Sequence, residues 1–295
     1  MRHLFREDWA CSPSEPRVYD YLLGGDDNFA VDRALGDALV RAADWLPRAA
    51  QINRSYGGLT VAHLARRGIR QFLDLGCGYP APSFLAVPDA HEAAVRIRSD
   101  AIVVHVDQDP VVATHAAALM AGPHGEHGIV CEDIRRIDVV LATPEAQKLD
   151  FDQPVGVLVH DVLPWIPDDD EVRQLLTVLR GILSAGSAIS ITHATCDMRP
   201  HESSDIAALY EEHGLAFRPR SYAEFRALHE PWPLDGPGVL PTGRWHTDPL
   251  HAHLPDAQSG AYAAVSLHPD PALCPQPRRR RTLEAAQPPV SQADG

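Results

Sequence analysis

Four places along the chain set acidic residues or glycines at the end of an apolar run. They are Phe72-Leu73-Asp74-Leu75-Gly76-Cys77-Gly78, His105-Val106-Asp107-Gln108-Asp109-Pro110, Cys131-Glu132-Asp133 and Val159-His160-Asp161. In open α/β sheets ligands sit beyond the carboxyl ends of the strands, which is where these residues would fall. Gly76 and Gly78 let a ligand approach the backbone with no Cβ in the way. Asp107 stands where a carboxylate can accept both hydroxyls of a ribose. Singly, each signal has a plain structural reading: a two-glycine turn also serves packing, and Asp107 would make a good N-cap before Pro110. Their joint occurrence at successive strand ends, in order, points to nucleoside binding.

The pattern GxxxxGK[ST] is absent, so phosphate cradling in the manner of an ATPase is not supported. Tyr79-Pro80-Ala81 follows Gly78 where the third glycine of GxGxxG would fall, which places a nicotinamide or flavin dinucleotide second. S-adenosylmethionine has ribose and adenine but no phosphates, and its sulfonium and ammonium charges suit an acidic rim. It is the expected cofactor. If the methyl acceptor must lose a proton, His160 and Asp161 are the candidate bases, since they end a strand beside the expected methyl position. Strand neighbours point to opposite faces, so at most one of the two is expected to face the substrate. No metal site is expected: His246, His251 and His253, like His124 and His127, lack HExxH spacing and fall in Gly/Pro-rich loops.

The elements that must carry these residues are legible as apolar runs. Strands are predicted at Gln71 to Leu75, Ala101 to Val106, Val155 to Val159 and Ala188 to Thr192, with a weaker one at Gly128 to Cys131. Helical periods alternate with them, which is the signature of a parallel sheet. The clearest helix is Glu171 to Leu183, where Val172, Leu175, Leu176, Leu179 and Ile182 share one face, with Asp168-Asp169-Asp170 as its cap. Residues 1–68 read as an N-terminal helical cap, 69–268 as a Rossmann-like domain and 269–295 as a disordered Pro/Arg tail whose arginine run at 278–281 is solvated.

The 26 Lys plus Arg against 40 Asp plus Glu give a formal charge of -14, which repels phosphate backbones and anionic lipid. Neither nucleic acid nor membrane is an expected partner; a small-molecule methyl acceptor is. Proline, 26 of 295 residues, exceeds the usual share of about 5% and gathers after Gly78, between about 231 and 255, and in the tail. The amino terminus lacks a secretory pattern and no apolar run approaches the ~20 residues of a membrane span, so a cytoplasmic location is expected. The five cysteines are far apart and read as reduced thiols.

The run from Phe72 to Gly78 resembles the first motif of class I S-adenosylmethionine-dependent methyltransferases. Arg17-Val18-Tyr19-Asp20-Tyr21-Leu22-Leu23-Gly24-Gly25, Asp27-Asn28-Phe29, Asn53-Arg54, Gly68 to Asp74, His105 to Pro110, Val162 to Asp168 and Ser190 to Thr195 are together similar to an actinobacterial S-adenosyl methyltransferase family, formerly a domain of unknown function. The likeness covers nearly all of 13–268. It implies a Rossmann-like sheet of seven strands, mostly parallel with the last antiparallel, helices on both faces, and N-terminal helices covering the cofactor. By position it implies that Asp74, Gly76 and Gly78 meet the methionine part, Asp107 the ribose hydroxyls, Asp133 with Ile134 the adenine, and His160 with Val162 the inner edge, with Gln108 a further cofactor-binding residue. Arg17, Tyr19 and Tyr21 would form part of a lid; an ordinary helix start with a stop at Gly24 is the alternative for that stretch. The chain departs from the family in a longer proline-rich segment from Tyr79 to Ala90, in Pro164-Trp165 and in its closing strand, Ala264 to His268. A methyltransferase, a non-catalytic protein that binds the same cofactor, and an NAD-dependent oxidoreductase are the readings left to compare.

Overall fold

A computed structural model describes residues 10–120, 127–245 and 253–269. The tail beyond Pro269, with its arginine run, lies outside the described residues, as do His124, His246 and His251.

All five expected strands form. They are β1 (Gln71–Leu75), β2 (Ile102–Asp107), β3 (Gly128–Cys131), β4 (Val155–His160) and β5 (Ala188–Ala194), joined by a two-residue β6 (Leu240–Pro241) and by β7 (Ala261–Leu267). The sheet order is β3-β2-β1-β4-β5-β7-β6, parallel through β5, with β7 antiparallel to both of its neighbours. Register keeps Leu75 beside Val106 and Val159, so the carboxyl ends of β1, β2 and β4 finish level with one another. The chain runs outward from β1 to β3 and then returns to the other side of β1 with β4. This reversal opens a crevice above β1 and β4, where ligands of such sheets bind.

The helices are α1 (Glu15–Leu23), α2 (Ala30–Ala42), α3 (Leu46–Arg66), α4 (Ala90–Ile97), α5 (Pro110–Met120), α6 (Ile137–Leu141), α7 (Asp169–Ile182), α8 (Pro200–Glu212) and α9 (Tyr222–Ala227). Helix α7 buries Val172, Leu175, Leu176 and Leu179, and its first turn is capped by Asp168, which accepts from the Asp170 amide at 2.7 Å. Helix α1 stops at Gly24, whose φ of 85° is the left-handed conformation glycine adopts without strain.

Side chains alternate across the sheet. Leu73, Leu75, Val104, Val106, Val157 and Val159 face the core they share with α6, α7 and α9. Phe72, Val103 and Leu158 face the opposite layer, with Tyr56, Val61, Leu64 and Ala65 of α3 and Ala93 and Ala94 of α4. Residues 1–68 and 69–268, separated in the sequence by a change of pattern, are thus joined by α3, which lies directly on the sheet. A third apolar cluster ties α1, α2 and the start of α3 to α8 through Val18, Leu22, Leu35, Leu39, Trp45 and Tyr210. No helix among the described residues is long and apolar enough to cross a membrane.

Candidate active site

Strand alternation decides which face carries the polar residues. Asp74, His105, Asp107 and His160 have the parity of Phe72, Val103 and Leu158, so all four fall on the α3 side at the carboxyl end of the sheet. There they line one cavity of about 360 Å³, within the range of small-molecule sites.

The turn after β1 is bent by Gly76 (φ 70°) and Gly78 (φ 63°). A Cβ on Gly76 would lie 2.4 Å from Cγ2 of Val162, so the turn packs directly against the segment that follows β4. Arg54 of α3 crosses over this turn, donating to the carbonyls of Cys77 (3.1 Å) and Tyr79 (2.9 Å), with its guanidinium 5.5 Å from the Tyr19 ring centre. Asp74 is anchored by His105 Nδ1 at 2.9 Å. Burial alone would raise the Asp74 carboxyl, but the hydrogen bond from His105, with the nearby Arg54 guanidinium, holds it below the usual range.

Asp107 closes β2 with both oxygens engaged by backbone: Oδ2 accepts from Gly78 N and Oδ1 from Asp109 N, each at 2.9 Å. Each oxygen keeps a further lone pair for a hydroxyl donor. Burial pushes this carboxyl up to about 6, against the two amide hydrogen bonds, with Asp109 and Glu15 adding to the rise. Gln108 lines the cavity from the exposed turn that follows. At the far end are Ile134, buried, and Asp133, whose carboxylate receives Arg135 through Nε and a terminal nitrogen. Burial raises Asp133, and the Arg135 contacts outweigh it to leave the carboxyl low.

His160 is enclosed beneath α3. Its Nε2 lies 2.8 Å from Ser190 Oγ, which also meets Tyr56 Oη at 2.9 Å, and its ring stands edge-on to Tyr56. Burial pushes His160 down to about 4, so the imidazole is neutral at pH 7. The expected alternation of His160 and Asp161 does not hold, because β4 ends at His160 and Asp161 takes a left-handed φ of 57°. Both residues therefore line the cavity. Asp161 Oδ1 accepts from Ala194 N at 3.0 Å, while burial pushes the carboxyl up to about 7.

The N-terminal trio divides. Tyr19 lines the cavity, its hydroxyl donating to Ala50 O and accepting from Asn53 Nδ2. Arg17 and Tyr21 are not among the lining residues. Arg17 is buried in an ion pair with Asp32 (3.1 Å) under Phe29, and Tyr21 points outward to Asp37 across Gly36. The helical period explains the split, since residues two apart on a helix face different directions. Glu15, Pro16, Arg54, Gly57, Gly58 and Trp165, none of them singled out as a site residue in the sequence, complete much of the wall. Gly57 and Gly58 keep α3 close to the cavity: a Cβ on Gly57 would sit 3.4 Å from His160 Nδ1.

The S-adenosyl methyltransferase family profile matches residues 9–269. The chain belongs to that family. A DUF574 family protein from Streptomyces avermitilis is 33% identical over 90% of this chain and all of its own, with a TM-score of 0.84. A candidate methyltransferase from Thermobifida fusca is 32% identical, covering 88% of this chain and 96% of its own, with a TM-score of 0.80. No curated protein matches the chain. The fold is that of the Rossmann-like class I methyltransferases, and this methyltransferase uses S-adenosylmethionine to modify an unidentified acceptor. The cavity fits a cationic cofactor: Glu15, Asp74, Asp89, Asp107, Asp133 and Asp161 line it and outnumber its arginines. Those arginines, Arg54 and Arg135, are already held by carbonyls and by Asp133.

Proposed function

We propose that this chain methylates a small molecule, with the cofactor lying from Asp133 and Ile134 at its adenine end, past Asp107 at the ribose, to Asp74 and the Gly76–Gly78 turn at its methionine end. One observation carries the reading: a single acidic cavity gathers the ends of β1, β2 and β4 while both of its arginines are tied internally. A pyrophosphate would need free cations or a longer glycine turn there, which counts against a dinucleotide. The enclosure of the cavity by α1 and α3 and the net charge of -14 favour a small acceptor over nucleic acid.

Bound S-adenosylmethionine supplies a methyl group already activated by its sulfonium, so the chain's tasks are orientation and exclusion of water. Asp107, when ionised, accepts the ribose hydroxyls, and Gly78 N steadies that carboxylate at 2.9 Å. His160 is a poor base, because it is held neutral down to about 4 and its Nε2 is engaged by Ser190. Its ring forms a wall beneath α3. Asp161 is the better base, with its carboxyl near 7 and one oxygen fixed by Ala194.

Calorimetric titration with S-adenosylmethionine, S-adenosylhomocysteine and NAD tests the assignment. Both methionine-derived ligands should bind and NAD should not. Asp107→Ala should weaken cofactor binding by roughly 100-fold, the equivalent of losing charge-assisted hydrogen bonds worth about 3 kcal/mol. Heat with NAD alone would overturn the reading, and undiminished affinity in Asp107→Ala would remove the ribose role. Transfer of labelled methyl into cell-extract small molecules separates an enzyme from a protein that only binds the cofactor.

A further inference from the structure

Beside the main cavity lies a second chamber of about 70 Å³, and the two share Tyr19, Asn53, Asp161 and Trp165 as their common wall. Past that wall the chamber is mostly apolar: Leu22, Trp45, Ile206, Tyr210 and Phe217 line it, with Thr195, Ser203 and Ser259 as its neutral polar residues. Trp165 stands edge-on to Tyr210 with ring centres 4.9 Å apart and tilted against Phe217 at 4.8 Å. Asp161 is the one charged residue among its described lining residues. That carboxylate has Oδ1 bound to Ala194 N and, among the described residues, no hydrogen-bond partner for Oδ2.

A mostly apolar, aromatic-walled pocket whose single charge lies on the border with the cofactor cavity fits a molecule with an apolar ring at one end and a hydrogen-bond donor at the other. A neutral hydroxyl enters such a place more readily than an ammonium, whose desolvation costs more. Resting on the methyltransferase reading, we propose that this chamber is the acceptor pocket, that it takes the ring end of a phenol, and that Asp161 receives the hydroxyl proton. The O–H bond breaks and its proton goes to Asp161 Oδ2. The freed oxygen pair forms the new O–C bond to the methyl carbon as the C–S bond breaks, its electron pair remaining on sulfur. The products are an aryl methyl ether and a neutral thioether, and Asp161 returns its proton to solvent.

The test uses the full chain saturated with S-adenosylhomocysteine, with 4-ethylphenol and its methyl ether, 4-ethylanisole, as probes. Binding is followed by calorimetry and by the fluorescence of Trp45 and Trp165. Wild type should prefer the phenol over the ether by roughly tenfold, the scale of one hydrogen bond to a charged group. Asp161→Asn should erase that preference; asparagine tolerates the left-handed backbone and still offers Oδ1 to Ala194 N. Ala49→Phe, which fills the chamber, should weaken both probes by more than roughly tenfold. S-adenosylhomocysteine affinity should be unchanged in Ala49→Phe, whose site lies outside the main cavity, and circular dichroism should report that both variants fold. Equal binding of phenol and ether to wild type, no measurable binding of either, or full binding to Ala49→Phe would overturn the acceptor assignment while the methyltransferase reading stands. Failure of wild type to bind S-adenosylhomocysteine would remove that reading and the inference with it.

Discussion

At the ends of β1 and β2 the working groups are short and fastened to nearby backbone, with Asp107 holding the amides of Gly78 and Asp109. The chamber beside α1 and α8 is instead walled by rings and aliphatic groups drawn from residues 19 to 261. The first region is defined by a few consecutive residues at each strand end. The second exists only where α1, α3, α8 and the turn after β4 converge. The contrast suggests a division of labour: a cofactor common to the family is met by a local polar pattern, and an acceptor by a surface assembled from separated segments.

The sharpest way to break this contrast is Arg220→Met. Arg220 is almost wholly buried and donates to Leu163 O (3.1 Å) and Ile166 O (3.0 Å), with His193 Nε2 and Asp169 as further partners. It pins the turn that carries Trp165 into both cavities. The variant leaves buried acceptors without donors and should lose about 3 kcal/mol of stability in urea unfolding. In the folded variant Trp165 fluorescence should change more than cofactor affinity does. If cofactor affinity fell first, the two regions would not be separable.

Gly76→Ala strikes the other region. The added Cβ would lie 2.4 Å from Val162 Cγ2 on a residue with φ 70°, so both strain and overlap act at the turn. A loss of about 2 kcal/mol is expected, accompanied by weaker cofactor binding in calorimetry. A neutral result would show that the turn yields easily.

The smallest effect is a pH dependence. Asp107, raised by burial to about 6, loses its charge as pH falls through 6, and with it the acceptor proposed for the ribose hydroxyls. Cofactor affinity should therefore weaken by roughly tenfold between pH 7.5 and 5. In the free protein the sign is opposite. A carboxyl whose folded value is raised adds stability that is fully present below its unfolded value near 4 and is lost as pH rises through about 6. Asp161, raised to about 7, would push free-protein stability the same way, so opposed trends that vanish in Asp107→Asn would assign the titration to Asp107; opposed trends that survive there would not.

The parts of the fold readable in advance were those with local signals. Strands β1 and β3 match their expected limits, and β2, β4 and β5 differ by one or two residues at their ends, because buried parallel strands are continuous apolar runs. Helix α7 begins two residues earlier than its apolar stripe suggested, with Asp168 as its cap. Arg54 had no local signal as a site residue: one arginine on a helix of 21 residues looks solvated until α3 is laid across the glycine turn. Arg17 and Tyr21 do not join Tyr19 in the cavity lining for the converse reason, since proximity to Tyr19 in sequence is not proximity on a helix face.

The sequence by itself determined the strand runs, the order of the acidic residues at their ends and the glycine turn, because hydrophobic period and backbone freedom act over a few neighbouring residues. Only the tertiary structure decided that α3 supplies Arg54 and two glycines to the cavity, and that Asp161 leaves the strand alternation to face both chambers. It alone brought Trp45, Trp165, Tyr210 and Phe217 around one space. Those outcomes depend on how whole helices dock, and docking sums many weak apolar contacts that no short stretch of residues encodes.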